Sequence, residues 1–347
     1  MKKNILIIDD SALMRRVLSD IINKTEQYQV AATATNGEEG LEILRQRKDV
    51  SLAFVDMVMP KLGGVDVLKQ MKKERINTPV IVFSTIAERS SEDTIEALSL
   101  GAIDFLKKPE NILVNMESFR QKVMNILSFL EDGSEESSVV VKEKPRHKQN
   151  ENSVGRGKIV ALACSTGGPK ALQEVIPYLP ENLDAPVVIV QHMPEGFTNS
   201  LAKRLNEISK VSVHEATEGD VLENGNVYVA KGGSHLRISY DHGKHIIRLG
   251  NDEPVTGLRP YANYMYESLI QSNYYEIICV VLTGMGADGT KGISALSQEK
   301  NIYVISQDRE SSVVYGMPKM VAQSGLSDEI VPLNKIAQVI IKKTGVY

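Results

Sequence analysis

The sequence predicts an α/β protein of two domains, and three observations carry that prediction. Residues 1–130 alternate short apolar runs with segments whose apolar residues recur at i, i+3 and i+4, the rhythm of strand and helix in turn. Residues 131–157, EDGSEESSVVVKEKPRHKQNENSVGRG, are charged and rich in Ser, Asn and Gly, and apart from VVV they carry almost no large apolar residue. That is the composition of a flexible linker. From Lys158 to the end at residue 347 the alternation resumes.

In the first domain NILIID, QVAATAT, LAFVDM, PVIVFST and IDFLKK read as strands, the central ones apolar throughout. SALMRRVLSDIINK, GEEGLEILRQR, VDVLKQMKKE and SEDTIEALSLG read as the helices between them, with a last helix near Asn115–Leu130. Such βα repetition implies a parallel sheet covered by helices on both faces. In the second domain, 158–347, the strands are KIVALAC, APVVIVQH, VSVHEA, NVYVA, HLRISY, HIIRLG, YEIICVVLTGM and NIYVISQ. Helical patterns follow the first two and the last two. Val211–Gly250 reads as consecutive strands, so this domain is expected to be doubly wound and mainly parallel, with an antiparallel hairpin region.

Composition narrows the function classes. Charged residues make up 24% of the chain and the net charge is −4, spread evenly, so neither half has the basic excess of a nucleic-acid-binding domain. No apolar run approaches the roughly 20 residues of a membrane span, and Asp9-Asp10 interrupt the N-terminal apolar run. A cytoplasmic location, with no nucleic-acid partner and no membrane insertion, is the expectation. The 2 cysteines, Cys164 and Cys279, fall inside apolar runs and read as packed thiols rather than a disulfide or metal site.

Ligands of parallel α/β sheets bind at the carboxyl ends of the strands. There the first domain places Asp9 and Asp10 after its first strand and Asp56 at the end of its third. Converging carboxylates repel unless a cation joins them, and oxygen ligands suit Mg²⁺. Ser84 after the fourth strand and Lys108 after the fifth add a hydroxyl and an ammonium, which suit a phosphoryl group. With IDDS, Asp56-Met57-Val58-Met59-Pro60, Ser84 and Lys108-Pro109 in this order, residues 3–128 resemble the response-regulator receiver domain, whose fold is a flavodoxin-like (βα)5 unit. The resemblance implies that Asp56 accepts a phosphoryl group from a histidine kinase. It implies that Asp9, Asp10, Asp56 and the carbonyl of Val58 hold Mg²⁺, and that Ser84 and Lys108 contact the phosphoryl oxygens. Phe105 falls at the aromatic switch position, though a phenylalanine in that strand also serves as plain core.

The second domain opens with LACSTGGPK, a strand ending in small polar residues and two glycines. A serine nucleophile needs a base and an orienting carboxylate. Of the 6 histidines, His192 ends VVIVQH at the carboxyl edge of the neighbouring strand, and His235 after Gly232-Gly233 is its one rival. Asp288 lies in the glycine-rich turn of CVVLTGMGADG, where amides can also aim inward at an oxyanion. A serine before two glycines is also a common helix cap, and a histidine ending a strand is often structural. The residues alone leave a triad open.

STGGPKAL, QHMPEGFT, LTGMGADG and SSVVYGMPK resemble the catalytic domain of the chemotaxis protein-glutamate methylesterase (CheB) family over about 157–345. The resemblance makes Ser165 the nucleophile, His192 the base, Asp288 its orienting partner and the Met285 amide the oxyanion donor, with no cofactor in this domain. It implies a phosphorylation-activated hydrolase of glutamate γ-methyl esters on chemoreceptors, which also deamidates receptor glutamines. Two departures stand out. Ala163 replaces a usual Gly, and Arg259-Pro260-Tyr261-Ala262-Asn263 replaces a more usual Arg-Pro-Ser-Val-Asp, so Tyr261 and Asn263 are expected to reshape the substrate cleft. A receiver-controlled scaffold with an inactive esterase-like domain is the alternative.

Overall fold

The computed structural model describes residues 2–84, 88–108, 112–132 and 155–345. Most of the linker read at 131–157, together with Pro109 and His147, lies outside them. The chain divides into two compact units after Asp132.

The first unit runs β1 (Lys3–Ile8), α1 (Ala12–Ile22), β2 (Tyr28–Ala34), α2 (Gly37–Gln46), β3 (Val50–Asp56), α3 (Gly64–Lys73), β4 (Val80–Ser84), α4 (Glu88–Leu100), β5 (Asp104–Lys107) and α5 (Ile112–Asp132). All its strand pairs are parallel, in the order β2-β1-β3-β4-β5. Ile5 to Ile8 and Leu52 to Val55 are buried, as central strands covered on both faces must be. Side chains start the helices. Ser11 Oγ accepts from Met14 N at 3.3 Å, and Asn36 Oδ1 accepts from Glu39 N at 3.2 Å while Glu39 reaches back to Thr35 N at 2.9 Å. The order of strands reverses between β1 and β3, which puts the switch-point crevice beside Asp9 and Asp56.

The second unit runs β6 (Lys158–Cys164), α6 (Gly168–Val175), β7 (Val187–Gln191), α7 (Phe197–Ile208), β8 (Ser212–Glu215), β9 (Asn226–Val229), β10 (His235–Asp241), β11 (Lys244–Gly250), α8 (Ala262–Ser268), β12 (Glu276–Val281), α9 (Thr290–Glu299), β13 (Ile302–Gln307), α10 (Met317–Gln323), β14 (Glu329–Val331) and α11 (Leu333–Thr344). Seven strands form one parallel sheet in the order β14-β13-β12-β6-β7-β9-β8. The expected antiparallel hairpin is present within Val211–Gly250. Among the strands of the described residues, β10 and β11 alone pair antiparallel, as a separate hairpin, whereas β8 and β9 extend the main sheet. Alternating patterns in consecutive strands do not carry strand direction, and here a connection without a helix still returns the chain parallel. Tyr266 of α8, fully buried, shares its hydroxyl between Ala161 O at 3.3 Å and Val280 O at 3.1 Å, pinning that helix over β6 and β12.

The hairpin is anchored by His245. Its ring stacks on Tyr274 with centroids 3.7 Å apart, and its Nε2 accepts from Asn273 N at 3.0 Å. Only the neutral ring can accept that bond, and burial together with nearby Lys300 pushes its pKa from 6.5 down to about 4. A histidine with a depressed folded pKa stabilises fully above its unfolded value. That stabilisation is lost as pH falls from about 6.5 towards about 4. Hydrogen exchange of β11 amides at pH values above and within this window is expected to show lost protection in the wild type. His245→Gln, which accepts without titrating, is expected to lose less.

Candidate functional site

Two sites occupy the carboxyl edges of the two sheets. In the first unit Asp9, Asp10 and Asp56 each offer a carboxylate oxygen within 4.8 Å of the others. Lys108 Nζ sits 2.6 Å from Asp56 Oδ2 and 3.0 Å from Asp9 Oδ2. Asp9 Oδ1 accepts from Ser11 N at 2.8 Å, while the buried Asp9 Oδ2 has the Lys108 ammonium as its partner. Burial, with Asp9 adding to it, raises the Asp56 pKa against the pull of Lys108. Ser84, buried at the end of β4, accepts from Thr94 Oγ1 at 2.7 Å. Three acids facing one ammonium leave net negative charge, and their oxygens lie close enough together for the donor set to fit a divalent cation. Val58, on the loop after β3, is 64% exposed and donates its N–H to Asp56 Oδ1 at 3.4 Å. Phe105 is half-buried on β5.

In the second unit the strand order reverses around β6, which lies between β12 and β7. Ser165 follows β6, His192 follows β7, and Asp288 lies between β12 and α9. His192 Nε2 is 2.7 Å from Asp288 Oδ2, and the two side chains are only 5% and 3% exposed. Asp288 is saturated by backbone donors as well. Oδ2 accepts from Ala262 N at 2.7 Å, and Oδ1 accepts from Asn263 N at 3.0 Å and Gly289 N at 2.8 Å. An ionised carboxylate only accepts, so the imidazole proton sits on Nε2 and the lone pair on Nδ1.

Ser165 is fixed through its backbone. Its N–H donates to Thr283 O at 3.0 Å, and its carbonyl accepts from Gly168 N at 2.7 Å and Gln191 Nε2 at 3.0 Å. Thr283 N is in turn held by Gln307 Oε1 at 2.7 Å, at the end of β13. Gly284 must be glycine because a Cβ there would lie 2.8 Å from Ser165 Cβ and 2.4 Å from Met317 Sδ. The next residue is Met285, whose N–H, among the described residues, makes no hydrogen bond. No direct hydrogen bond joins Ser165 Oγ to His192 among the described residues. Catalytic hydrogen bonds are commonly loose until substrate is bound.

The rivals separate cleanly. His235 is fully buried, with Nε2 3.2 Å from Glu253 O and its ring against Tyr264, so it faces the framework of the hairpin. Cys164 is fully buried, its thiol pKa pushed far up by desolvation, and it donates to Gln191 Oε1 at 3.0 Å. Asn263 corrects an expectation. It is 3% exposed and its Oδ1 accepts from Gly292 N at 2.6 Å, so it joins α8 to α9 rather than lining a cleft. Tyr261, which precedes α8, stays half-buried with its ring edge-on to Tyr264 at 5.3 Å. Sequence reasoning missed Gln191 and the α8 amides. Gln191 sits inside the same QHMPEGFT stretch as His192 and could have been flagged there.

The family model for CheB methylesterase matches residues 160–340, and that for the response regulator receiver domain matches residues 5–117. The protein-glutamate methylesterase/protein-glutamine glutaminase of Pyrococcus horikoshii is 38% identical over 98% of this chain and 93% of its own length. The Bacillus subtilis protein of the same name is 38% identical over 96% of both chains. The crystal structure of the Thermotoga maritima CheB methylesterase catalytic domain is 41% identical with a TM-score of 0.53, covering 54% of this chain and 99% of that one.

Proposed function

The chain belongs to the CheB methylesterase family, with a response regulator receiver domain at its N-terminal end, and from that premise we propose that it is a phosphorylation-activated protein-glutamate methylesterase and protein-glutamine glutaminase acting on chemoreceptors. The observation that carries the reading is Asp288, buried and held by three backbone amides, with its Oδ2 2.7 Å from His192 Nε2 beside the strand end that bears Ser165. A scaffold with an inactive esterase-like domain has no need of that carboxylate geometry.

In the proposed mechanism Ser165 Oγ attacks the γ-ester carbonyl as its proton passes to His192 Nδ1. The Met285 N–H, left unengaged beside Ser165, donates to the tetrahedral oxyanion. Collapse breaks the C–O bond to methoxide, which takes the proton from His192 and leaves as methanol. Water then attacks the acyl-enzyme with His192 again as base, releasing the glutamate carboxylate and restoring Ser165. With a glutamine substrate the same steps release ammonia.

In the receiver domain we assign Asp56 as phosphoacceptor, with the phosphoryl group coming from a chemotaxis histidine kinase. Asp9, Asp10, Asp56 and the carbonyl of Val58 would hold Mg²⁺, which when bound supplies positive charge next to the phosphoryl oxygens. Lys108 already spans Asp9 and Asp56, and it and Ser84 would contact those oxygens. The substrate we propose implies a cytoplasmic location, against the methylated helices of the receptors. No described helix is long and apolar enough to cross a membrane.

The test is methanol release from methylated receptor, with and without acetyl phosphate. Phosphodonor is expected to raise the wild-type rate by about tenfold or more, equivalent to ~1.4 kcal/mol of coupling. Asp56→Asn is expected to keep the basal rate and lose the stimulation. Equal stimulation of both proteins would move the phosphoacceptor elsewhere.

A further inference from the structure

Gln191, the last residue of β7, is 2% exposed and has no part in the chemistry above. Its amide nitrogen donates to Ser165 O at 3.0 Å and to His192 O at 3.1 Å, and its Oε1 accepts from Cys164 Sγ at 3.0 Å. Two carbonyl oxygens on one side and a thiol on the other fix which end of the amide is nitrogen. Both amide protons are used. The side chain fits because α6 begins on a glycine: a Cβ on Gly168 would lie 2.0 Å from Gln191 Oε1.

The position explains the need. The backbone ladder between β6 and β7 ends with His192 N donating to Cys164 O at 3.1 Å. Beyond that bond the two chains part, Ser165 leading into α6 and His192 into the turn before α7. Gln191 is the cross-link past the end of the ladder, and it grips the carbonyls of both residues at once.

We propose that Gln191 is a positioning residue that sets the separation of Ser165 from the His192 imidazole, an inference that rests on the Ser165–His192 chemistry proposed above. Reacting groups misplaced by about 1 Å can lose roughly 100-fold in rate, and nothing else among the described residues ties these two carbonyls together.

The test uses the full chain with Gln191→Met, which fills the space but donates nothing, and Gln191→Glu. The latter donates nothing while ionised and one hydrogen bond once protonated. Both are measured for kcat, KM and turnover per serine titrated by a fluorophosphonate, across pH. Gln191→Met is expected to lower turnover per titrated serine roughly 10- to 100-fold, with KM nearly unchanged and a ratio to wild type that is flat with pH. Gln191→Glu is expected to start equally low and climb relative to wild type as pH falls and its carboxyl protonates. Normal turnover per titrated serine in Gln191→Met overturns the proposal, whatever the yield of folded protein. So does a Gln191→Glu ratio that ignores pH, which carries the test alone if the Met variant does not fold. If wild type releases no methanol, the esterase reading fails on its own. The rates of fluorophosphonate labelling then still decide on Gln191.

Discussion

Ser165→Ala is expected to lower methanol release by roughly 10⁴-fold while leaving receptor binding and the melting temperature nearly unchanged. The size follows from the step removed, since without Oγ no acyl-enzyme forms and only direct attack by water remains. The mild structural effect follows from how the residue is held. Its links run through the backbone, from its N–H to Thr283 O at 3.0 Å and from Gly168 N and Gln191 Nε2 to its carbonyl. Alanine keeps all three, and it keeps the Cβ against which Gly284 packs. Methylated receptor is the substrate for the assay, and covalent labelling by a fluorophosphonate gives an independent readout. A rate within tenfold of wild type would remove Ser165 from the mechanism. Cys164 offers no substitute, because its buried thiol is committed to Gln191 and held protonated by desolvation.

The sequence exposed the parts of this molecule that obey a local rule. Strands such as Ile159–Cys164 and Ile277–Val281 are buried on both faces, and their continuous apolar runs announce that. Acids and a serine at the ends of such strands announce a site, because the carboxyl edge is where this architecture opens. What stayed hidden depends on tertiary partners. β14 has only three residues, and its pairing with β13, rather than any pattern of its own, makes it a strand. The direction of β8 and β9 could not be read from the sequence, because alternation along a strand is the same whether its neighbour runs parallel or antiparallel. Asn263 looked like a substitution in a cleft. It is a buried acceptor for Gly292 N, and only the packing of α8 on α9 makes that visible. Gln191 was passed over for the same reason. A glutamine at a strand end has no assigned chemistry until three partners surround it.

Asp288→Asn is expected to cost nearly as much as loss of the nucleophile, roughly 10³- to 10⁴-fold in kcat with KM little changed. The argument is a count of donors. Four hydrogen-bond donors converge on this one carboxylate: His192 Nε2 and Ala262 N on Oδ2, Asn263 N and Gly289 N on Oδ1. An asparagine has one oxygen, and each carboxylate oxygen serves two donors. If its oxygen takes the Oδ1 place, its NH₂ faces the His192 ring and Ala262 N. The imidazole can then relieve the clash only by moving its proton to Nδ1, which removes the lone pair that must receive the Ser165 proton. If the amide turns over, the NH₂ opposes two backbone N–H groups at the starts of α8 and α9. Each unmet buried donor then costs about 1–3 kcal/mol, and the turn that carries Gly284 and Met285 loosens. Both orientations cost rate, the first through the tautomer and the second through the framework. Fluorophosphonate labelling of Ser165 should slow in proportion to kcat in the first case, with the melting temperature nearly kept. In the second case the melting temperature should fall. A loss smaller than tenfold, with the fold intact, would mean that something other than Asp288 sets the tautomer of His192.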